Sequence, residues 1–409
     1  MLTSLKLMIR STTLPFYYTS ALCSICLAFN VSASTVKNES LQVHGFVAQG
    51  IINADKSNFI NTDESLSLEL TEVGINASYQ LNNDFRLAGQ AVYLNGGNRY
   101  HAGPRIDYLL LQWNAFHNEV WQANFYFGRV KNNHWLYSST RDIPFARPSI
   151  IIPQVVYFDG FRDIAVGGDG AAVKIRYSDD DFGEVDFNFS RGESAISGDQ
   201  SDVVIGKFAL GQLGHDLDMQ ASVYWQPPFS GWRFGLSALD STFVYNQAKI
   251  DNYFDGEFIF QFYTANALYE GEYWQFSAEF FQERFLTKGF YLPSFHRDEI
   301  GQGYYLQASY KILNNLSLMT RHERFYANKD DKNGSKLAQI SGGAVPSYFG
   351  FHNDNMIGLS YDFASNFRLN AEYHWMEGGA RLTPIVQPDP IANASKNWQV
   401  WAIQLMYWF

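Results

Sequence analysis

The chain ends with residues 398–409, WQVWAIQLMYWF, in which large apolar side chains recur at every second position. One set of alternate positions is apolar, and the other set includes Ala402 and Gln404. Because successive side chains of a β-strand point to opposite faces, this period predicts a strand with one apolar face. The apolar set consists of Trp401, Ile403, Leu405, Tyr407 and Phe409.

The same two-residue period recurs upstream of this strand. Clear examples lie at residues 121–128, 219–225, 274–280, 304–311 and 367–375. The second face is polar in one strand after another, and a soluble sandwich would have to bury those groups. Aromatic residues also make up 17% of the chain, which suits the girdles of a membrane barrel. The sequence therefore predicts an all-β fold, a transmembrane antiparallel β-barrel with lipid outside and a polar lumen.

The first residues have the composition of a cleaved signal peptide. Lys6 and Arg10 form a basic start, residues 21–29 are apolar, and residues 31–33 (VSA) are a suitable cleavage site. A membrane anchor is the alternative, but the apolar run is too short to cross a hydrocarbon core of roughly 30 Å as a helix. We expect two regions, a signal peptide at 1–33 and the barrel at 34–409.

Several classes of protein are disfavoured by composition. Cys23 and Cys26 are the only cysteines and lie in the signal peptide, which excludes disulfides and thiolate metal sites from the exported chain. A net charge of −11 makes nucleic acid a poor partner. His322 and Glu323 are adjacent on a predicted strand, so their side chains point to opposite faces and form no shared metal or catalytic site. We therefore expect neither an enzyme nor a cofactor.

Connections between the strands come in two sizes, and outer-membrane barrels have short periplasmic turns and longer outward loops. Seven turns and eight loops give about 16 strands. Residues 234–245 look partly strand-like, but a further strand would make the number odd, so we place them in the fifth loop. The turns are expected at 82–84, 117–119, 179–181, 214–216, 270–272, 313–315 and 364–366. The loops are expected near 54–64, 96–104, 131–168, 192–202, 227–255, 286–300, 329–352 and 379–396.

The third loop, residues 131–168, is the longest of these and breaks the alternation (KNNHWLYSSTRDIPFARPSIIIPQVVYFDGFRDIAVGG). Loops of this length are uncommon unless they have a function. Its three prolines restrict the backbone and lower the entropic cost of one fixed shape. The apolar run 150–152 can anchor the loop against wall positions such as Leu110. We expect this loop to fold into the barrel.

Three features resemble known families. The final Phe409, with apolar residues at alternate positions before it, resembles the insertion signal of bacterial outer-membrane proteins. Sixteen strands with a long third loop resemble bacterial porins, in which that loop narrows the pore. Residues 128–163 are similar to the phosphate-selective porin O/P grouping, through a GR-x-K start, an R-D-x-P-F-x-R-P-S core and a following P-Q-x-x-Y-F-D. The resemblance implies a constriction loop at 131–168, but phosphate selectivity does not follow because the cationic rings cannot be matched.

The candidate site residues are cations of the third loop and of the strand after it. Arg141, Arg147 and Arg162 are available either to a passing solute or to pair with aspartates of the same loop. The alternation places Lys174 and Arg176 in the lumen close to the loop. The loop aspartates are Asp142, Asp159 and Asp163, and the same phasing turns Arg321, Asp186, Glu184, Glu279, Glu323 and Glu372 inward. Since arginine and lysine favour anions in a pore, we expect a weak anion preference at the constriction.

These observations predict a porin in the outer membrane of a Gram-negative bacterium, which lets small hydrophilic solutes diffuse passively. The alternative is an occluded barrel with a structural or surface-binding role. The expected partners are outer-membrane lipid and small hydrophilic solutes. The sequence does not determine the oligomeric state. A homotrimer is one possibility, because porins usually form trimers.

Overall fold

A computed structural model describes residues 40–62, 64–100, 102–162, 167–196, 201, 205–206, 208–382 and 393–409. The predicted signal peptide, with both cysteines, lies outside the described residues. The alternating segments of the sequence form sixteen strands in one closed antiparallel barrel. Each strand pairs with its neighbours in the sequence, and β1 closes the barrel by pairing with β16. The predicted fold class is confirmed.

The strands have the following bounds. The first eight are β1 (Leu41–Asp55), β2 (Thr71–Gln80), β3 (Phe85–Asn95), β4 (Gly103–His117), β5 (Trp121–Lys131), β6 (Gly167–Asp179), β7 (Gly183–Glu193) and β8 (Gln212–Gln226). The second eight are β9 (Trp232–Asn246), β10 (Gly256–Glu270), β11 (Trp274–Gly289), β12 (His296–Leu313), β13 (Leu316–Tyr326), β14 (Phe351–Ala364), β15 (Phe367–Glu377) and β16 (Asn397–Trp408).

The described helical segments are short and lie in loops. Helix α1 (Ser335–Ile340) lies between β13 and β14, and 3₁₀ turns occur at Gly97–Arg99, Pro144–Ala146, Asp159–Phe161 and Ser347–Gly350. Within the described ranges, no helix is long and apolar enough to cross a membrane.

The predicted strand number is correct, but two of the predicted elements are wrong and compensate for each other. Residues 214–216 form no turn, because they lie inside β8, where the pairing with β9 shifts by one residue between His215 and Leu217. This is a β-bulge, which accommodates one extra residue in a continuous strand. The fourth turn is instead at 227–231, where two prolines end β8. Residues 234–245 belong to strand β9 and not to the fifth loop, which is reduced to 247–255.

The outer surface of the barrel carries exposed apolar side chains on most of its strands. Near the short turns, aromatic side chains form a girdle around much of the barrel. Ring pairs follow one another there from Trp121 and Tyr177, 4.8 Å apart, to Trp274 and Tyr310, 4.6 Å apart. The rings between these pairs are Phe182, Trp225, Phe234, Trp232, Tyr269 and Phe276. An apolar band with an aromatic girdle is the outer surface of a transmembrane barrel.

The connection between β5 and β6, residues 132–166, is called loop L3 below. Its described part is folded into the barrel, as the sequence predicted, and packs against the wall in three apolar clusters. Trp135 and Val155–Tyr157 pack on aromatic residues of β9–β13 such as Phe243 and Phe281. Phe145 contacts Phe46 and Trp408 near the closing strands.

The predicted anchor of L3 on Leu110 is wrong. Ile150 and Ile151 pack instead on β1 and β16, where Ile52 and Val400 are also buried. Leu110 lies on β4, three strands from β1, and lines one of the cavities described below. The isoleucine run therefore fixes L3 to the seam at which the barrel closes.

Candidate functional site: the pore constriction

Loop L3 is held together by buried ion pairs. Asp159 accepts a hydrogen bond from Arg141 at 3.0 Å and pairs with Arg99, from the connection between β3 and β4, at 2.7 Å. Arg162 pairs with Asp142. All of these side chains are almost fully buried, with Arg141 and Arg162 only 1% and 2% exposed. The pairs join the start of L3 to its end and fix its shape.

Arg147 pairs with the barrel wall rather than with an aspartate of the loop. Its Nη1 donates to Glu72 Oε2 of β2 at 2.9 Å, and its Nη2 bonds the other oxygen of the same carboxylate. Arg147 Nη1 also donates to the carbonyl oxygen of Arg141 at 3.1 Å. Such fork-to-fork pairing fixes both direction and distance. Asp163, the third aspartate expected to take part, lies outside the described residues.

Three wall carboxylates accept hydrogen bonds from the backbone of L3. Glu279 on β11 accepts from Leu136 N at 3.3 Å, and Glu323 on β13 accepts from Val155 N at 3.1 Å. Glu372 on β15 accepts from two successive amides, with Ile151 N at 3.1 Å. An irregular loop inside a barrel needs such partners because buried amides without one are costly.

Two cations outside L3 also bond its backbone. Arg321 Nη2 donates to the carbonyl oxygen of Ile151 at 2.9 Å, and Arg381, from the last loop, donates to Val155 O at 2.8 Å. The acids and cations that the sequence turned inward on β11, β13 and β15 are therefore engaged by L3. They cannot form the open charged lining that the phasing alone suggested.

The ion pairs keep the loop carboxylates charged. Burial would raise the pKa of Asp142, but the positive charges of Arg162, Lys131 and Arg141 outweigh it and lower this pKa to about 2. Burial likewise opposes ionisation of Asp159, but Arg99, Arg141 and Arg162 lower its pKa below the ordinary value. Both aspartates therefore act as permanent anions within L3 at neutral pH.

Open space lies between residues 133–139 of L3 and strands β4–β9. It consists of two cavities of about 280 and 290 Å³, which adjoin each other at four shared lining residues and are together called the passage below. The shared residues are Asn133, Ser139, Lys174 and Asn188. The second cavity has a mainly polar lining, which suits a water-filled route.

The five predicted site residues separate into two groups. Arg141, Arg147 and Arg162 are buried in the pairs described above, and contact between them and a solute stays a prediction. Lys174 and Arg176 line the passage with side chains that are 31% and 39% exposed. Both neutralise acids of β7: Arg176 lies 2.7 Å from Asp186 and 3.6 Å from Glu184, and Lys174 lies 3.5 Å from Asp186.

One cation of the passage was missed by the sequence analysis. Arg233 on β9 lines the second cavity, and its guanidinium carbon lies 4.2 Å from the centroid of the Tyr224 ring. The residue was overlooked because 227–255 was assigned to a loop. The alternation of Trp232, Phe234 and Leu236 with Arg233 and Gly235 would have turned Arg233 inward if the segment had been treated as a strand.

The structure gives little support to a metal or catalytic site. No group of three potential metal-binding side chains occurs in the part of the chain that the structure describes. His322 is half-buried on the outer face beside Asn355, whereas the adjacent Glu323 is fully buried inside, as strand geometry predicted. His374 is buried between Asp354 and Glu372, at 2.7 and 3.3 Å.

The structure defines the class of fold: a sixteen-stranded antiparallel β-barrel of the outer-membrane kind, with the third loop folded into the lumen. Solved structures with this fold cover nearly the whole chain. The outer membrane channel DcaP of Acinetobacter baumannii is 12% identical, with a TM-score of 0.55 over 90% of this chain and 97% of that chain. Pseudomonas putida OprB is 10% identical, with a TM-score of 0.58 over 92% and 96%.

A third similar structure is the anion-selective porin from Comamonas acidovorans. It is 10% identical, with a TM-score of 0.54 over 90% of this chain and 99% of that chain. Identities this low show a shared fold alone. No protein-family model matches the chain, and no curated protein matches it in sequence. The resemblance of residues 128–163 to the phosphate-selective porin O/P grouping is therefore not confirmed.

Proposed function

We propose that this protein is an outer-membrane porin of a Gram-negative bacterium, through which small hydrophilic solutes diffuse passively. The observation that carries the proposal is the passage itself, the space between the anchored L3 and the wall of β4–β9, whose second cavity has a mainly polar lining. The apolar outer band and aromatic girdle support a location in the outer membrane. The similar solved structures that are named as channels or porins support the same role.

A weak preference for anions belongs to the same proposal. The second cavity of the passage is lined by the cations Lys174, Arg176 and Arg233 and by the acids Glu184 and Asp186. One positive charge is in excess, and an excess of arginine and lysine at a narrow point favours anions. Arg141, Arg147 and Arg162 would contribute mainly by fixing the shape of L3, because their charges are compensated by Asp142, Asp159 and Glu72.

Planar bilayers test the function directly. The purified chain should produce stepwise increases in conductance, whereas an inserted protein that stays silent would support the occluded barrel with a structural or surface-binding role. Insertion is checked separately by protease protection in vesicles. The same preparation in native gels would establish whether the protein is a homotrimer.

Selectivity is tested with the double variant Lys174→Gln, Arg176→Gln. Because Glu184 and Asp186 would then lose their partners, the reversal potential in a KCl gradient should move towards that of a cation-selective pore. Arg284→Gln is the matched control, since Arg284 pairs with Asp298 on the outer face and should leave the reversal potential unchanged. An unchanged potential in the double variant would contradict a role of these cations in selectivity.

A further inference from the structure

Arg233 differs from Lys174 and Arg176 because it forms no ion pair with any described residue, although Asp186 is near enough to interact with its charge. Among the described residues, no carboxylate lies within 4.0 Å of its guanidinium, although Lys174 and Arg176 both have acidic partners. One face of the guanidinium is directed at the Tyr224 ring, 4.2 Å away. Stacking of this kind holds the planar group in place while its N–H groups stay available for a ligand.

Strand register explains why Arg233 has no acidic partner. Glu184 on β7 pairs with Gln226 on β8, and Trp225 pairs with Phe234 on β9, which places Gln226 beside Arg233. Arg233 and Glu184 are thus two strand spacings apart, or about 10 Å between their backbones. Gln226 occupies the position between them on β8, so the order of the strands places a neutral residue, and not an acid, beside Arg233.

We propose that Arg233, together with Gln226, Asn133 and Tyr224, forms a subsite for a small polar monocarboxylate on its way through the passage. This inference rests on the proposed porin function and names the class of solute. The carboxylate would accept a bidentate pair of hydrogen bonds from Arg233, which arginine forms with planar carboxylates. The amides of Gln226 and Asn133, which line the same cavity, would bond the polar body of the solute.

Charge and volume indicate a monoanion of modest size. Three cations and two acids line the cavity, so one positive charge is left for the ligand. A dianion would exceed this charge and would lie close to Asp186 and Glu184. The cavity of about 290 Å³ is large enough for a hydroxylated acid of several carbons together with water, and its polar lining disfavours an apolar body.

The test uses the open channel in KCl and adds gluconate, a hydroxylated monocarboxylate, with glucose as its neutral counterpart. Gluconate should reduce the potassium chloride current at concentrations at which glucose has no effect. Arg233→Gln should raise the half-blocking concentration at least tenfold, because it removes the bidentate donor. Arg233→Lys keeps the charge without the fork and should give an intermediate shift, provided that its conductance shows a folded, open pore.

Arg86→Gln is the matched control. Arg86 is a cation of β3 that bonds Ser78 and does not line the passage, so its removal should leave the gluconate block unchanged. Equal block in the wild type and in Arg233→Gln would overturn the subsite, as would stronger block by sulfate than by gluconate. A wild-type protein with no conductance would instead overturn the porin function, so the two failures are distinguishable.

Discussion

At the scale of single residues, the conformation of L3 depends on carboxylates that stay charged while buried. Asp142 and Asp159 lie inside L3 with arginine partners, and their pKa values are held below those of exposed aspartates. A buried charge that loses its partner costs about 3–5 kcal/mol, whereas an intact pair adds little net stability. These pairs therefore define one loop conformation more than they stabilise the fold.

The pH dependence of L3 follows from this. A group whose pKa is lowered by folding stabilises the folded state above its unfolded pKa of about 4, and this stabilisation is lost as pH falls through the folded value. For Asp142, with a folded pKa of about 2, the contribution is roughly 2 kcal/mol and should disappear between about pH 4 and 2. Urea unfolding in lipid vesicles should therefore show a decline in stability as the pH falls from about 4 to about 2.

The variant Asp142→Asn separates the contribution of Asp142 to this pH dependence from the contributions of other acidic residues. It should be less stable than the wild type at pH 7, because Arg162 loses its closest partner, and its stability should fall less steeply below pH 4. An acid limb identical to that of the wild type would show that Asp142 is not a main source of the pH dependence.

At the scale of elements, alternation predicts most of the strands, but it did not predict β9. The inward face of β9 carries Leu239, Phe243 and Tyr245 in its upper half, because L3 covers them. Both faces of that half are then partly apolar, so the two-residue period is weakened by a tertiary contact that no local pattern reveals. The turn-like composition of 214–216 led to a wrong turn prediction for a similar reason. The β-bulge at this point depends on the pairing of β8 with β9 as much as on the residues of β8 itself.

The site was predictable to a similar extent. Phasing correctly turned Lys174, Arg176 and the acids of β7 inward, since side-chain direction is a local property of a strand. It could not show that Arg147 reaches Glu72, because the two residues are 75 positions apart and meet only when L3 enters the barrel. Pairing over such distances depends on packing, which the sequence does not display.

Loop L3 as an element should loosen when its apolar anchor is removed. Ile151 is fully buried against β1 and β16, so Ile151→Ala should cost about 2–5 kcal/mol of packing. Since the strands pair independently of L3, the barrel should still form. Single channels should show increased open-channel noise, and L3 should be cleaved more readily by added protease. Leu68→Ala, at an exposed position before β2, is the control; a quiet Ile151→Ala channel would contradict anchoring at this point.

At the scale of the whole molecule, all strand pairs but one join sequence neighbours, so the barrel is completed by a single long-range strand pair. That contact is the seam between β1 and β16, which joins residues more than 340 positions apart, such as Ile51 and Ile403. Closure removes the last free strand edges, which would otherwise expose unpaired backbone groups to lipid. The isoleucine anchor of L3 lies on the same seam, which links closure of the barrel to the conformation of L3.

Gly50 makes this seam testable. A Cβ atom at Gly50 would lie 2.8 Å from the carbonyl oxygen of Ile403 and 2.4 Å from Leu70, so Gly50→Val must displace backbone across the closing pair. Overpacking of this kind costs typically 1–3 kcal/mol, and it should reduce the fraction of heat-modifiable, folded barrel after refolding into vesicles. Gly103→Val is the matched strand control, because a Cβ there meets nothing within 4 Å. Equal refolding of the two variants would show that closure tolerates strain at the seam, and the barrel would then be limited by its sequential hairpins instead.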